Sequence, residues 1–587
     1  MNSNVNIALS GFIRANNGLR LIHDRNCIVR NTRSGSTSTT GVKLISGGGS
    51  GHEPAHIGYV GRGMLHGAVC GDVFAAPSAT AILDCLRTVA TDPGGDSVLF
   101  VVNNYTGDRL NFGLAMERAR SLYGYCRVRM LLNDDDCSIE DSMVARSVGK
   151  RGLAGKVLLI KILGAMAELG FSLDELYEYG EGLLRKGQMA TFGFTFEMTD
   201  GDKLRNVELG KGLHGEPGVY KMDECDGFES IVWFMMERMV KKMPEFAEVV
   251  VLVNNLGGTS EIVVGVFLDV LTKLLETRYR IRRIYCGTYF SSLSQVGLSV
   301  TLLNLAYNDQ LLVYLDHEVQ VASKLFGSGQ SFHLEPSDRV KFDTIVEVET
   351  RPNPNLFKIK LQESSTSLVN NTLHHIAQVL QTSRDLLNAF DRECGDGDTG
   401  NTIANGATAL LAALATASID LLHPAKMLQD ISTILQLSIG GTSGAIYSLF
   451  FQAASKAFQT STTNRFAAVT LNHWLTALAA GNDAIVQYAL TELGDRTMLD
   501  ALRQGEFRLR TAVQQGLPTM DCVEIFAAAC GEAAKVTQHM RPRSGRATYS
   551  ASAGDGIVDY RFPDPGAHAV SIWARSLFEA FTIFFNK

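Results

Sequence analysis

The chain is 587 residues long, 45% hydrophobic and 20% charged, with a formal net charge of −7 and a pI near 6.0. That length calls for more than one domain, each with its own core, and the acidic balance argues against nucleic acid as a partner. Ten cysteines are scattered without a C-x-x-C pair, the start Met1–Ile7 lacks a basic region followed by an apolar run, and no apolar stretch reaches membrane-spanning length; the expectation is a cytoplasmic protein with no membrane contact, no zinc site and no disulfide framework.

The first half alternates β-rich runs with helical patterns. Val42–Ser46 reads as a strand entering the glycine-rich loop Gly47–His56, and Ser97–Val102 as a second strand ending at Asn103–Asp108. A helix is predicted over about Asn111–Tyr123 and a buried apolar helix over Leu158–Glu168. Glu248–Val253 is the clearest strand, again followed by a polar, glycine-containing loop. Apolar strands alternating with helices indicate an α/β region with a largely buried sheet, whose ligands gather at loops beyond the strands' carboxyl ends.

From about Phe326 to Ser367 glycines and Pro336, Pro352 and Pro354 interrupt any long element, apart from a short strand predicted at Thr344–Val348. A linker is placed here, over 336–366. Beyond it, Leu373, Ile376, Leu380 and Leu387 fall at helical spacing, and Ala- and Leu-rich runs continue to Phe585. The expectation is an α/β domain over 1–335, in two subdomains split near residue 185, and an all-α domain over 367–587.

Several loops carry candidate chemistry. Asp391, Asp396 and Asp398 crowd around Gly395 and Gly397. Like charges so close favour a hard, oxygen-seeking cation such as Mg2+, although a solvated acidic turn fits the same letters. Gly400 stands where an EF-hand needs a ligand, which excludes that motif. The Gly47–His56 loop is neither a dinucleotide fingerprint nor a Walker loop, and reads either as a structural turn or as a backbone cradle for an oxygen-rich ligand. Asp108, just past a strand, suits a general base or a helix cap, and His214, in Gly212–Gly218, a reactive or a merely solvated imidazole. Gly440–Gly444 is either a helix–helix turn or a phosphate-holding helix N-terminus. Asp495 is a candidate N-cap beside the mobile cation Arg496, and Arg546 lies in another loop. Together they supply carboxylates for a metal, donors for phosphate and cations, the parts of nucleotide-dependent phosphoryl transfer.

In this combination and order, Gly47–His56, Asn104–Asp108, Gly212–Gly218 and Gly395–Asp398 resemble the ATP-dependent dihydroxyacetone kinase family, across essentially the whole chain. Asn254–Gly258, Gly440–Gly444, Gly494–Asp500 and Asp564–Ala567 extend the likeness, which is nearest to the animal branch of bifunctional triokinase/FMN cyclases. The resemblance implies an α/β substrate domain and an all-α helical-barrel nucleotide domain, joined in a homodimer. It implies phosphorylation of dihydroxyacetone and glyceraldehyde by Mg-ATP. His214 is matched to the histidine that holds the substrate as a covalent hemiaminal, Asp108 to the base, and His56, Gly51 and Asn103 to substrate contacts. Asp391, Asp396 and Asp398 match the holders of two Mg2+ ions. Thr399, Asn401, Thr402, Gly441, Thr442, Ser443, Arg496, Met498, Arg546, Asp564 and Gly566 fall in the nucleotide-binding segments. The animal branch further implies FAD-AMP lyase chemistry on FAD, served by Mn2+ or Co2+; a non-catalytic binding or regulatory member is the remaining alternative.

Two departures bear on the substrate. Asn103 stands where the family carries a lysine, exchanging a charged donor for a short neutral amide. Thr191–Asp200 replaces a Ser-Ser-Cys-containing segment ahead of His214.

Overall fold

The computed structural model describes residues 5–22, 25–31, 41–139, 150–185, 187–199, 203–241, 248–305, 308–323, 359–393, 395, 397–460, 469–544 and 560–585. The strand expected at Thr344–Val348 and most of the expected linker lie outside them. The described chain falls into two compact units, one ending at residue 323 and the other starting at 359.

The first unit opens with α1 (Val5–Arg14), β1 (Leu19–Ile22), β2 (Cys27–Arg30), β3 (Val42–Ser50), β4 (Gly61–Arg62), β5 (Gly67–Val73), α2 (Ala79–Val89), β6 (Ser97–Asn103), α3 (Thr106–Tyr123) and β7 (Val128–Asn133). Six of these strands form a sheet of order β1-β2-β5-β3-β6-β7, parallel from β5 to β7. Strands β3 and β6 are buried along their whole length, as apolar strands covered on both faces must be. Chain order reverses around β3, with β5 on one side and β6 on the other. The crevice beyond the ends of β3 and β6 is therefore where a ligand is expected.

Helices α4 (Gly155–Glu168) and α5 (Leu173–Arg185) lead to β8 (Met189–Met198), β9 (Leu204–Leu209), β10 (Tyr220–Cys225), α6 (Gly227–Val240), β11 (Glu248–Asn255), α7 (Glu261–Glu276), β12 (Arg280–Gly287), β13 (Gly297–Asn304), α8 (Gln310–Asp316) and β14 (Gln320–Val321). A second sheet runs β10-β9-β8-β13-β11-β12, antiparallel except between β11 and β12, and β14 pairs with β4. Helix α4 is buried nearly all round, packing Val157, Leu158, Ile162 and Leu163 into the core shared with the first sheet. The second core joins Phe192, Phe194, Val251 and Phe267 from β8, β11 and α7.

Two boundaries differ from expectation. Strand β3 runs on through Gly47–Gly49, because the missing side chains let it press against β5; a Cβ on Gly47 would sit 2.4 Å from the Val69 carbonyl oxygen. Helix α3 starts at Thr106 rather than near Asn111, so Asp108 sits in its first turn. The Thr191–Asp200 segment is largely strand β8, central in its sheet.

The second unit is helical throughout its described residues: α9 (Glu363–Thr382), α10 (Arg384–Asp391), α11 (Thr399–Ala415), α12 (Pro424–Ser438), α13 (Gly441–Thr460), α14 (Leu471–Ala489), α15 (Met498–Gln514), α16 (Thr519–Val536) and α17 (Pro565–Phe584). Successive helices from α11 to α17 pack side by side, and α9 touches both α11 and α17, so the helices close into a ring. Small residues allow close approach; Gly505 would meet Cys530 Sγ at 2.4 Å if it carried a Cβ. The starts of α15 and α17 meet where Gly566 lies against Met498, and Asp564, capping α17, lies within the field of Asp391 just before α11; α13, reached from α11 through the antiparallel α12, starts at the same end of the ring as α11.

Candidate active site

In the first unit, four loops converge beyond the strand ends. The loop after β3 supplies Gly51, His52 and His56, the turn after β6 supplies Tyr105 and Asp108, the loop after β9 supplies His214 and Glu216, and the loop after β12 supplies Phe290 and Ser291. Backbone bonds tie them together: Leu293 N donates to Gly51 O at 2.9 Å and Ser291 N to His52 O at 3.1 Å. Ser292 Oγ donates to Leu213 O at 2.7 Å. Gly51 has φ +99°, and a Cβ there would press on Phe74 at 3.0 Å, so only glycine lets this loop close over the pocket.

His214 stands in an aromatic collar, its ring 4.4 Å from Tyr105, 4.9 Å from His52 and 5.6 Å from Phe74. Its Nδ1 lies 3.6 Å from Glu216 Oε1, while Glu216 Oε2 accepts the His214 backbone N–H at 2.8 Å. Burial raises the Glu216 carboxyl, but His214 and the backbone donors outweigh it and hold the group at about 2. The imidazole is thereby oriented with Nδ1 toward a carboxylate and Nε2 left for chemistry. His52 Nδ1 donates to Ser291 O at 2.9 Å, and burial, then the proximity of His214, lowers its pKa to about 3. His52 and His56 therefore have separate partners and form no metal pair.

Asp108 is buried, yet its Oδ1 has no hydrogen-bond partner among the described residues. It caps nothing with that oxygen; the residue at the cap position is Tyr105. Burial pushes its carboxyl up to about 6, against the opposing pull of Lys156, His214 and Arg109. A buried carboxylate oxygen with no partner among the described residues, within the field of a histidine, suits a general base for a substrate hydroxyl. His56 Nε2 is 2.9 Å from Lys156 Nζ. Asn103 turns its Oδ1 to the Asn133 side-chain amide at 3.2 Å, deep in the sheet.

The helical unit gathers its candidates on the rim. Asp391, buried at the end of α10, accepts the N–H of Asp398 at 2.9 Å and of Thr399 at 3.1 Å through Oδ2. This seats the acidic loop on the N-terminus of α11, which carries Thr399, Asn401 and Thr402 in its first turn. Asn388 clasps Asn401 through both its amide atoms, and Glu393 accepts the N–H groups of Arg561 and Phe562, while Phe390 stacks on Phe562 at 4.6 Å. Asp564 caps α17 by accepting Ala567 N–H at 2.7 Å. Burial is the main force raising its carboxyl to about 6, relieved by Ala567 N–H and Arg496 and reinforced by the charges of Asp500 and Asp391. Gly566 approaches Met498 at the start of α15. Gly441, at φ +68°, opens α13, with Thr442 and Ser443 in its first turn. A Cβ on Gly406 of α11 would meet Ile439 at 2.4 Å, which places this turn against α11, about 10 Å along the helix from Thr399.

Two expectations are corrected. The N-cap of α15 is Thr497, in a capping box with Asp500; Asp495 lies too early and instead accepts Glu492 N–H at 2.8 Å, closing the preceding turn. Arg496 is not mobile: it is buried, donates to Thr537 O at 3.1 Å and Phe562 O at 3.2 Å, and lies over the Tyr560 ring. It braces the loops rather than swinging toward phosphate. Asp396 and Arg546 lie outside the described residues.

Among the described residues no three His, Cys, Asp or Glu side chains gather as a metal cluster. The donor set still fits a hard cation: Asp391 and Asp398 bring only oxygen, and the charges of Asp500 and Asp391 both disfavour an ionised Asp564. Sequence reading passed over Lys156, Glu216 and the aromatic collar. A lysine opening an otherwise apolar helical run was the available signal for the first.

Comparison with known proteins places the chain among relatives. A Dak1 domain model matches residues 10–323 and a DAK2 domain model residues 393–579. The chain is 34% identical to the triokinase/FMN cyclase of Homo sapiens over 593 residues, covering 97% of this chain and 96% of that protein. It is 30% identical to the dihydroxyacetone kinase of Pichia angusta over 616 residues, covering 98% and 97%. The crystal structure of the dihydroxyacetone kinase from C. freundii in complex with AMP-PNP and Mg2+ is 29% identical, covers 99% of this chain and 98% of that one, and superposes with a TM-score of 0.48.

Proposed function

Because the chain belongs to the dihydroxyacetone kinase family, we propose that it is an ATP-dependent triose kinase acting on dihydroxyacetone and glyceraldehyde. The observation that carries this reading is Asp108: a buried carboxylate with an Oδ1 unpartnered among the described residues, in the field of His214.

The chemistry follows from the pocket. His214 Nε2 adds to the triose carbonyl carbon; a C–N bond forms, the carbonyl π electrons move to oxygen, and that oxygen is protonated to a hydroxyl as Nδ1 loses its proton beside Glu216. The product is a hemiaminal, which fixes the substrate's terminal hydroxyl for reaction. Asp108 takes the proton of that hydroxyl as its oxygen attacks the γ-phosphorus of ATP, and ADP leaves. His56 and Gly51 bound the substrate, and Asn103 supports the sheet beneath it. In the helical unit the N–H groups and hydroxyls of Thr399, Thr402, Thr442 and Ser443 receive phosphate at helix N-termini. Asp391, Asp396 and Asp398 would hold Mg2+, which when bound offsets the charge of the phosphates. We assign residues 1–335 to the substrate domain, 336–366 to the linker and 367–587 to the nucleotide domain, in a cytoplasmic homodimer.

The direct assay is ADP release from Mg-ATP at saturating dihydroxyacetone or glyceraldehyde. No triose-dependent ADP from the wild-type chain would refute the kinase reading. Identity to a relative named for two activities favours a second reading, FAD-AMP lyase action of the helical unit with Mn2+ or Co2+. AMP and cyclic FMN released from FAD, with the activity surviving His214→Ala, would establish it. Triose binding with neither activity would leave a binding or regulatory protein.

A further inference from the structure

Lys156 opens α4 with 0% exposure. Its Nζ lies 2.9 Å from His56 Nε2 and 3.3 Å from the Gly47 carbonyl oxygen. Neither neighbour is a carboxylate, and an ammonium taken from water to such a place is costly unless its charge is used. The fold, not an ion pair, puts it there. Asp135, following β7, accepts Leu153 N at 2.6 Å and Gly155 N at 2.8 Å, along with Asn133 Nδ2 and Thr191 Oγ1. Those bonds pin the first turn of α4 and occupy both carboxylate oxygens, so Lys156 is aimed at the pocket instead.

We propose that Lys156 is a positioning residue of the kinase reaction: its ammonium donates to His56 Nε2, fixing His56 as the Nδ1–H tautomer, and holds Asp108 ionised opposite His214. The inference rests on the kinase reading above. A histidine pinned in this way presents an N–H donor to a substrate oxygen, and a base kept charged in a buried pocket is ready for the hydroxyl proton.

Several titratable groups among the described residues surround Lys156. Asp108 and Arg109 face the pocket from α3, Asp135 from the turn after β7, His52 and His56 from the loop after β3, and His214 and Glu216 from the loop after β9. Burial lowers Lys156 to about 7, with Asp108 and Asp135 pulling the other way. Burial, then Lys156 and His52, keeps His56 well below its ordinary range and so neutral. The active form therefore needs Asp108 deprotonated and Lys156 protonated, and the two requirements bracket a narrow interval of pH.

The test is the pH profile of kcat/KM for dihydroxyacetone, measured on the full chain with saturating Mg-ATP, for wild type, Lys156→Met and Lys156→Arg. Wild type gives a bell with both limbs near neutrality. In Lys156→Met the alkaline limb disappears, the acid limb moves up by about one pH unit, and kcat/KM at pH 6 falls about tenfold or more. Lys156→Arg restores the acid limb while lacking the alkaline one, because a guanidinium stays charged. A wild-type enzyme that turns over and a Lys156→Met variant with the same bell would overturn this inference alone; a wild type without triose-dependent turnover would instead remove the kinase reading. Should Lys156→Met fail to fold, the wild type decides by itself. In 15N-histidine spectra at pH 6.5 the His56 resonances, assigned with His56→Gln, must show Nδ1 protonated and Nε2 bare; the Nε2–H tautomer would sink the proposal.

Discussion

Replacing Asp108 by asparagine separates catalysis from stability. The native carboxyl is raised from 3.8 to about 6, chiefly by burial. Each unit is worth about 1.4 kcal/mol, so ionising this group in the folded pocket rather than in the unfolded chain costs about 3 kcal/mol at pH 7. The sign is the reverse of a salt-bridged aspartate. The folded form binds the proton more tightly, so wild-type stability falls as pH rises from about 4 to about 6 and then levels off. Asparagine keeps the shape and removes the charge, and Oδ1 has no hydrogen bond to lose among the described residues. Asp108→Asn should therefore be more stable than wild type by about 3 kcal/mol at pH 7, with the difference shrinking to under about 1 kcal/mol at pH 4. At the same time kcat should fall by about 10²–10⁴, the usual contribution of a general base. Calorimetric melts of both proteins across pH 4–8, with triose-dependent ADP release beside them, measure both effects. A variant destabilised at pH 7, or one that keeps kcat within about tenfold, would show that the carboxylate is structural and the base lies elsewhere.

Other substitutions probe the two half-sites. His214→Ala should raise KM for dihydroxyacetone by about 10² or more while leaving KM for ATP within about twofold, in initial-rate measurements varying each substrate. Asp391→Ala leaves the Asp398 and Thr399 N–H groups without their acceptor; urea melts should show a loss of about 1–3 kcal/mol, and turnover should cease at any Mg2+ concentration. Gly444→Ala sets a Cβ 2.1 Å from the Ile439 carbonyl oxygen. The start of α13 must shift, and KM for ATP should rise about tenfold or more with triose affinity unchanged.

Local chemistry made much of this site legible. Glycine clusters after apolar strands marked the crevice beyond β3 and β6, and crowded aspartates marked the start of α11, because those signals are covalent neighbours in the chain. What stayed hidden depends on residues far apart in sequence. Lys156 meets His56 across one hundred positions and a sheet. Composition makes a lysine a surface residue by default, and although the apolar run at Leu158–Glu168 marks a buried helix, nothing local says which groups its first turn faces. Arg496 misled in the same way: a charged residue beside glycine looks mobile, and only the carbonyls of Thr537 and Phe562 reveal it as a brace. Strand β8 escaped notice although Phe192, Phe194 and Phe196 alternate with Thr191, Gly193 and Thr195, because Gly193 breaks the run of β-forming residues and the polar letters gave no sign that both faces are buried.

The ring of helices explains why the nucleotide motifs were weak one at a time. In the function proposed above, phosphate recognition draws on the starts of several helices of the ring, and a helix start needs little sequence beyond a cap and a small residue. In an antiparallel ring every second helix begins at the same rim, so four such starts, tens of residues apart, converge without a shared consensus. The bonds that bind the rim together, Glu393 to Arg561 and Phe562, Asp564 to Ala567, and Asn388 to Asn401, run between or within these loops rather than to a ligand. These bonds brace the loops against one another, and the charge of Asp391 adds to burial in raising the Asp564 carboxyl. Such a rim would serve a triphosphate or a dinucleotide pyrophosphate equally well. On the proposed reading, selection for a triose rests with His214, Asp108 and the Lys156–His56 pair in the other unit, and mutations there should alter kinase action while sparing any chemistry confined to the helical ring.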